Sequence, residues 1–247
     1  MKIPIAILLL LSSIILYALP DIRIDAETGL AIPGYNDVRI PNSGANSQFS
    51  IKNEFGLKST LNTRLSIHYY ITPKHQVSVM ATPLTFKAEN RLSQDLVYQN
   101  KTFMRGDTVE ATYRFDSYRL QYRYNLPKSF YGIRAIGASL KLRDAEIALE
   151  SKTFPHKATK TNTGFVPLLS LNAGHRVNED LDMVLEAEGL GSPYGRAEDV
   201  FVGAVYDIKD KLSLKAGYRL LEGGSDNDEV FTFAAVHYIV LGFRIDL

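Results

Sequence analysis

From Val230 to Leu247 the chain places Ile239, Leu241, Phe243, Ile245 and Leu247 at every second position. Successive side chains of a strand point to opposite faces, so this spacing gives one continuous apolar face that runs to the final residue. The other parity carries Gly242, Arg244 and Asp246, a set that does not suit a dry core. Nine further segments have the same period, near residues 27–35, 58–71, 75–87, 109–124, 130–150, 165–177, 181–190, 200–208 and 211–222. The second is the cleanest: Leu61, Leu65, Ile67, Tyr69 and Ile71 share one face, and Asn62, Arg64, Ser66, His68 and Tyr70 the other. In the fourth the alternation slips above Asp116, where Tyr113 and Phe115 take the wrong parity and a bulge or the membrane boundary is expected.

The connections alternate in length. Residues 72–74, 125–128, 178–180 and 208–210 are tight turns rich in Pro, Asn and Asp, whereas 36–48, 89–107, 151–163, 191–198 and 223–228 are longer and more polar. Residues 1–18 read as a secretory signal peptide, with Lys2 before an apolar run and Ala18 at a cleavage point, which leaves 19–247 as one domain. The run is short of the roughly 20 residues that a spanning helix needs. The absence of Cys rules out a disulfide scaffold. With 28 Lys and Arg against 27 Asp and Glu there is no global field to attract nucleic acid. No later stretch is a candidate spanning helix, so a mature chain that crosses a membrane does so by strands.

A soluble sandwich or lipocalin-like barrel has the same period and differs only in where the apolar face points. The leader, the terminal strand, the turn asymmetry and the even strand number agree on lipid. On these features the chain resembles bacterial outer-membrane β-barrel proteins, in particular small barrels of no assigned activity. That resemblance implies an all-β, antiparallel transmembrane β-barrel of about ten strands, with eight or twelve as alternatives, integral to the outer membrane. It further implies a monomer in contact with membrane lipid and lipopolysaccharide, inserted by the barrel-assembly machinery.

The inward parity is rich in charge. Arg64, His68, Arg119, Arg123, Lys141, Arg143, Arg176, Lys215 and Arg219 face the lumen, with Asp182, Glu186 and Glu188 as the acids to meet them. Buried charges must be paired, which predicts a salt-bridged, mostly filled lumen and a structural or surface-interaction role through the extracellular loops. The excess of cations keeps a narrow pore for small anionic solutes as the alternative. In the last long loop Asp226, Asp228 and Glu229 offer oxygen ligands for a surface Ca²⁺, beside the plainer reading of a solvated acidic hairpin; no other cofactor is indicated. The preceding loop, 191–198, is followed by Asp199 and holds Arg196, which could reach the same site. The first long loop, with Tyr35, Asn36, Asp37 and Arg39, is of the kind that carries adhesion or ligand capture. Omptin-type proteases resemble this chain in strand number and activate water with paired Asp residues and a His–Asp couple. Asp226, Asp228 and His237 lie toward one rim, but His237 takes the lipid-facing parity and no motif places a second acidic pair, so the chain reads as a non-enzyme.

Overall fold

The computed structural model describes residues 21–247; the leader expected over 1–18 lies outside the described residues. Ten antiparallel strands follow one another around a closed sheet. They are β1 (Ile22–Arg39), β2 (Thr60–Thr72), β3 (His75–Thr82, continued by Thr85–Arg91), β4 (Thr108–Phe130) and β5 (Ile133–Ser151). Then come β6 (Lys157–Arg176), β7 (Leu181–Ser192), β8 (Gly195–Lys209), β9 (Leu212–Asp226) and β10 (Phe231–Asp246). Each strand pairs with its predecessor, and β10 closes on β1 from Arg23↔Asp246 to Arg39↔Phe231. Closure removes the free edges that an open sheet would expose.

The apolar parity points outward as expected. Leu120, Leu169 and Leu241 are 55%, 64% and 62% exposed and belong to a belt that also holds Leu65, Ile67, Val79, Leu140, Val202 and Ile239. Such a surface is stable only against lipid. The belt ends abruptly at one level: Arg114, Asp116 and Asp144 form an ion-pair cluster on the outer wall, with Arg114 at 2.7 Å from Asp144 and 3.0 Å from Asp116. The strands do not end there. Roughly 9–11 residues cross a bilayer, yet β4 has 23 residues and β5 has 19. The surplus rises beyond the membrane on the side opposite the termini.

Three expectations change accordingly. The long connections after β5, β7 and β9 are mostly strand, since β6 begins at Lys157, β8 at Gly195, and β9 runs to Asp226; residues 34–39 likewise belong to β1. There is no bulge in β4 at Asp116, because its pairing with β5 runs unbroken from Val109↔Ser151 to Asn125↔Ala135. The break lies in the neighbouring strand, where Pro83 and Leu84 interrupt β3 and the Leu84 N–H donates to Asp116 Oδ1 at 3.0 Å. Finally, the turn expected at 125–128 sits at 131–132, with positive φ at Tyr131 and Gly132 (49° and 83°). Two positive φ values make a type I′ hairpin, which needs Gly or a tolerant residue, and the Pro-containing stretch becomes an unpaired bulge instead. Replacing Gly132 by Val should therefore cost about 1–2 kcal/mol, read as a lower urea midpoint of the refolded barrel.

The upper barrel has its own core. The β1–β2 ladder stops at Ala31↔Thr60 and the β2–β3 ladder at Leu65↔Ala81, which leaves a gap in the wall. Phe49–Ser50 fills it by pairing with Val38 and Asp37, followed by a short helix α1 (Ile51–Phe55). Ser50 caps α1 by accepting the Asn53 N–H, Gly56 ends it at φ 66°, and Ile51 and Phe55 turn inward. A hairpin of Leu96–Tyr98 and Lys101–Phe103 folds into the mouth. Tyr98 is fully buried, donates to the Ile147 carbonyl at 3.0 Å and meets Phe49 edge-on at 6.1 Å. This plug packs on Val38, Val109 and Leu149.

Candidate functional site

Below the plug the lumen is closed by charge. The carboxylate of Asp199 on β8 accepts from Arg64 of β2 at 2.9 Å, Arg119 of β4 at 2.6 Å and Arg219 of β9 at 2.8 Å. Arg119 also binds Glu188 of β7. Glu27 of β1 meets Lys215 at 2.7 Å and Arg219 at 3.0 Å, and Glu186 meets Lys215 at 2.9 Å. Arg244 of β10 joins Asp25 at 3.1 Å and approaches Glu186 at 3.7 Å. The chain of contacts thus ties β1, β2, β4, β7, β8, β9 and β10 across the barrel. Phe201 stacks under it, with the Lys215 ammonium 4.2 Å and the Arg219 guanidinium 5.1 Å from the ring centre. The ring has room because Gly203 and Gly217 lie beneath it: a β-carbon at either would sit 2.5 or 2.7 Å from its edge.

Of the residues expected in the lumen, Arg64, Arg119, Glu186, Glu188, Lys215 and Arg219 meet in this network. His68 bonds Ser78 at 2.7 Å and Gln76 at 2.9 Å, as a lumen residue would. Arg123 donates to Ser170 at 3.1 Å. Asp182 pairs instead with Arg134 near the mouth on the side of the termini, and Arg176, half exposed, joins Asp207 at 2.8 Å there. Arg143 donates to Asn162, and Lys141, opposite Arg119 in the β4–β5 ladder, borders the network without an ion pair of its own to a described residue. The expected excess of cations narrows only slightly: Asp25, Glu27 and Asp199 are inward acids that the sequence reading did not assign, but Arg134 and Arg244 are cations it did not assign either. Asp25 and Glu27 alternate with Ile24 and Ala26, a signal present in the sequence; Asp199 was hidden by assigning its surroundings to a loop.

Three spaces lie within or below the network. Two small cavities of about 20 and 40 Å³ lie within the network, room for a few waters at most. A vestibule of about 930 Å³ opens on the side of the termini and is lined by Arg23, Asp25, Arg123, Asp182, Arg244 and other polar groups. Its inner residues Asp25, His68, Arg123 and Glu186 also line the cavity of about 40 Å³.

No family model matches this chain, and no curated protein matches its sequence. Among solved structures, the outer membrane protease OmpT of Escherichia coli overlays with a TM-score of 0.59 at 9% identity, covering 92% of this chain and 97% of that chain. The chain folds as a small outer-membrane β-barrel. Ail of Yersinia pestis (TM-score 0.42, 11% identity, 91% and 99% covered) and neisserial surface protein A (0.33, 14%, 92% and 97%) also match. At such identities the likeness concerns the fold alone.

At the outer rim the residues expected for water activation or Ca²⁺ have separate partners. His237 faces outward and pairs with the Tyr218 hydroxyl at 2.5 Å. Asp226 accepts from Asn42 at 3.0 Å, Glu229 approaches Lys160 at 3.7 Å, and Asp228 lies in the exposed turn beyond them. Among the described residues no group of three His, Cys, Asp or Glu is placed to hold a metal ion. Higher on the outer wall, Arg196 clamps Glu222 with bonds of 2.9 and 2.8 Å, and the Tyr35 hydroxyl donates to the same carboxylate. Partial burial raises the Glu222 pKa, but the Arg196 and Tyr35 bonds outweigh it and hold the carboxyl below its ordinary value. Burial and the Glu222 charge push the Tyr35 phenol up to about 12.

Proposed function

We propose that this protein is a monomeric, integral barrel of a bacterial outer membrane whose lumen does not conduct and which works through its extracellular end. The ion network around Asp199 carries the reading, because every guanidinium it joins meets a carboxylate and the space left within it has room for a few waters at most. An interaction role is supported by the rise of the strands beyond the belt and by large apolar side chains at the tips: Met104, Phe154 and Tyr194 are 53%, 50% and 71% exposed. The belt would contact membrane lipid and lipopolysaccharide, and the barrel-assembly machinery would insert it. An anion pore is favoured by the lumen cations that meet no carboxylate: Arg123, which lines the vestibule and bonds a hydroxyl, and Lys141 and Arg143 above the network. The refolded chain should be silent in a planar bilayer, with insertion verified by heat-modifiable gel mobility, and Arg123→Ala should be silent as well. A steady anion-selective current that falls in Arg123→Ala would replace this reading with the pore.

A further inference from the structure

The upper lumen holds a cavity that the Asp199 network does not use, and the wall beside it is notched. The β6–β7 ladder ends at Leu169↔Gly189, although β6 begins at Lys157 and β7 runs on to Ser192. On its other side β6 stays paired with β5 throughout, from Lys157↔Glu150 downward. The edge of β6 that faces β7 is therefore bare over residues 157–168. Its lower end, at Leu168↔Ser139, lies at the depth of Leu140 in the apolar belt. Two observations on β7 agree that the wall is open there. A β-carbon on Gly191 would meet no atom within 4 Å, and Leu190, on the inward parity, is 42% exposed. Bare backbone at membrane depth is tolerated where it borders a cavity rather than lipid.

Behind the notch lies a cavity of about 160 Å³. An engineered apolar cavity of roughly 150 Å³ accepts benzene, so this one holds a group of that size. Its walls include Phe115, Ile147, Val166, Leu221 and Val230, and its floor is Lys141. Lys141 is 2% exposed and lies 4.6 Å over the Phe115 ring, and its ammonium forms no ion pair with a described residue. Beside it Arg143 gives one amino group to Asn162 while its buried Nε has no partner. An unpaired cation in such a place is costly, so Lys141 either gives up its proton or takes an anion beside it, while the Arg143 guanidinium stays charged.

The geometry points to a binding site for a single-chain carboxylate, an amphiphile of the fatty-acid class, with its carboxylate on Lys141 and Arg143 and its chain leaving through the notch toward the outer leaflet. At the upper margin of the same cavity Arg196 is already paired with Glu222 and Lys160 approaches Glu229 at 3.7 Å, and Glu146 also lines it, so Lys141 and Arg143 are the cations left for an anion. The cavity is too small for a whole chain and large enough for the head and the first few carbons, which is why the open wall matters. The site stands whether or not the loops bind a partner.

Dodecanoate titrated by calorimetry into the refolded barrel, in nanodiscs of zwitterionic lipid, should bind saturably with one molecule per chain. Dodecanol and acetate should bind at least on the order of tenfold more weakly, since each lacks one half of the recognition. Lys141→Met should weaken dodecanoate by a similar factor while keeping heat-modifiable mobility and an unfolding midpoint at least equal to the parent's, because it removes an unpaired cation. The chain has no Trp, so Leu190→Trp provides a reporter without background. A dodecanoate brominated in mid-chain should quench it saturably, and should fail to do so when Lys141→Met is added. Equal binding of dodecanol and dodecanoate, parent-like binding by Lys141→Met, or an unquenched reporter at Leu190 would each overturn the assignment.

Discussion

Asp199→Asn should lower the stability of the refolded barrel by about 3–5 kcal/mol, the usual effect of removing one partner from a buried ion pair. The size follows from the geometry. One carboxylate, 3% exposed, accepts from Arg64, Arg119 and Arg219, and the amide that replaces it carries no charge. Arg119 would keep Glu188, and Arg219 would keep Glu27, but the described ion pairs leave Arg64 with no other carboxylate. Lys215→Met is the useful contrast. It removes a cation whose acids Glu27 and Glu186 retain Arg219, so its cost should be smaller although Lys215 is equally buried. Urea unfolding followed by tyrosine fluorescence and by gel mobility measures both. Equal midpoints for Asp199→Asn and the parent would mean that the network is not the structural centre of the lumen.

The barrel was legible in the sequence because its membrane-crossing half obeys one rule: apolar residues out, polar residues in, period two. All ten strands fall where that alternation places them. Strand length and part of the ion network were not legible, because the rule reverses above the belt. There the outer wall faces water and the inner wall faces the plug, so Arg114, Asp116 and Asp144 point out while Tyr113 and Ile147 point in. What reads as a slip at Phe115 is a change of surroundings along a continuous strand. The same reversal made the upper parts of β6 and β8 look like polar loops, and it removed Asp199 from the list of lumen acids. The turn at 131–132 was missed for a different reason: Pro127 is a strong turn signal, but Gly132 provides the positive φ that a two-residue hairpin requires. Lys141 was expected in the lumen among the other cations, and nothing in the sequence marks it as the one that forms no ion pair with a described residue.

Tyr98→Ala should be the other strongly destabilising change, at about 3–5 kcal/mol, and it should do something that Asp199→Asn does not. Tyr98 is fully buried at the centre of the plug and makes both an aromatic contact to Phe49 and a hydrogen bond to the Ile147 carbonyl. Its loss leaves a cavity beneath the hairpin and beside the segment that closes the gap between β1 and β3. Limited proteolysis of the folded barrel should then cut between residues 43 and 105 well before the parent is cut, while the bilayer stays silent, because the Asp199 network lies below the plug and does not depend on it. Tyr98→Phe keeps the packing and loses only the hydroxyl, so its cost should be about 1 kcal/mol. The two closures are separable by these readouts. If Tyr98→Ala conducts ions, the network is not a seal on its own, and the plug rather than the charged lumen keeps the barrel shut.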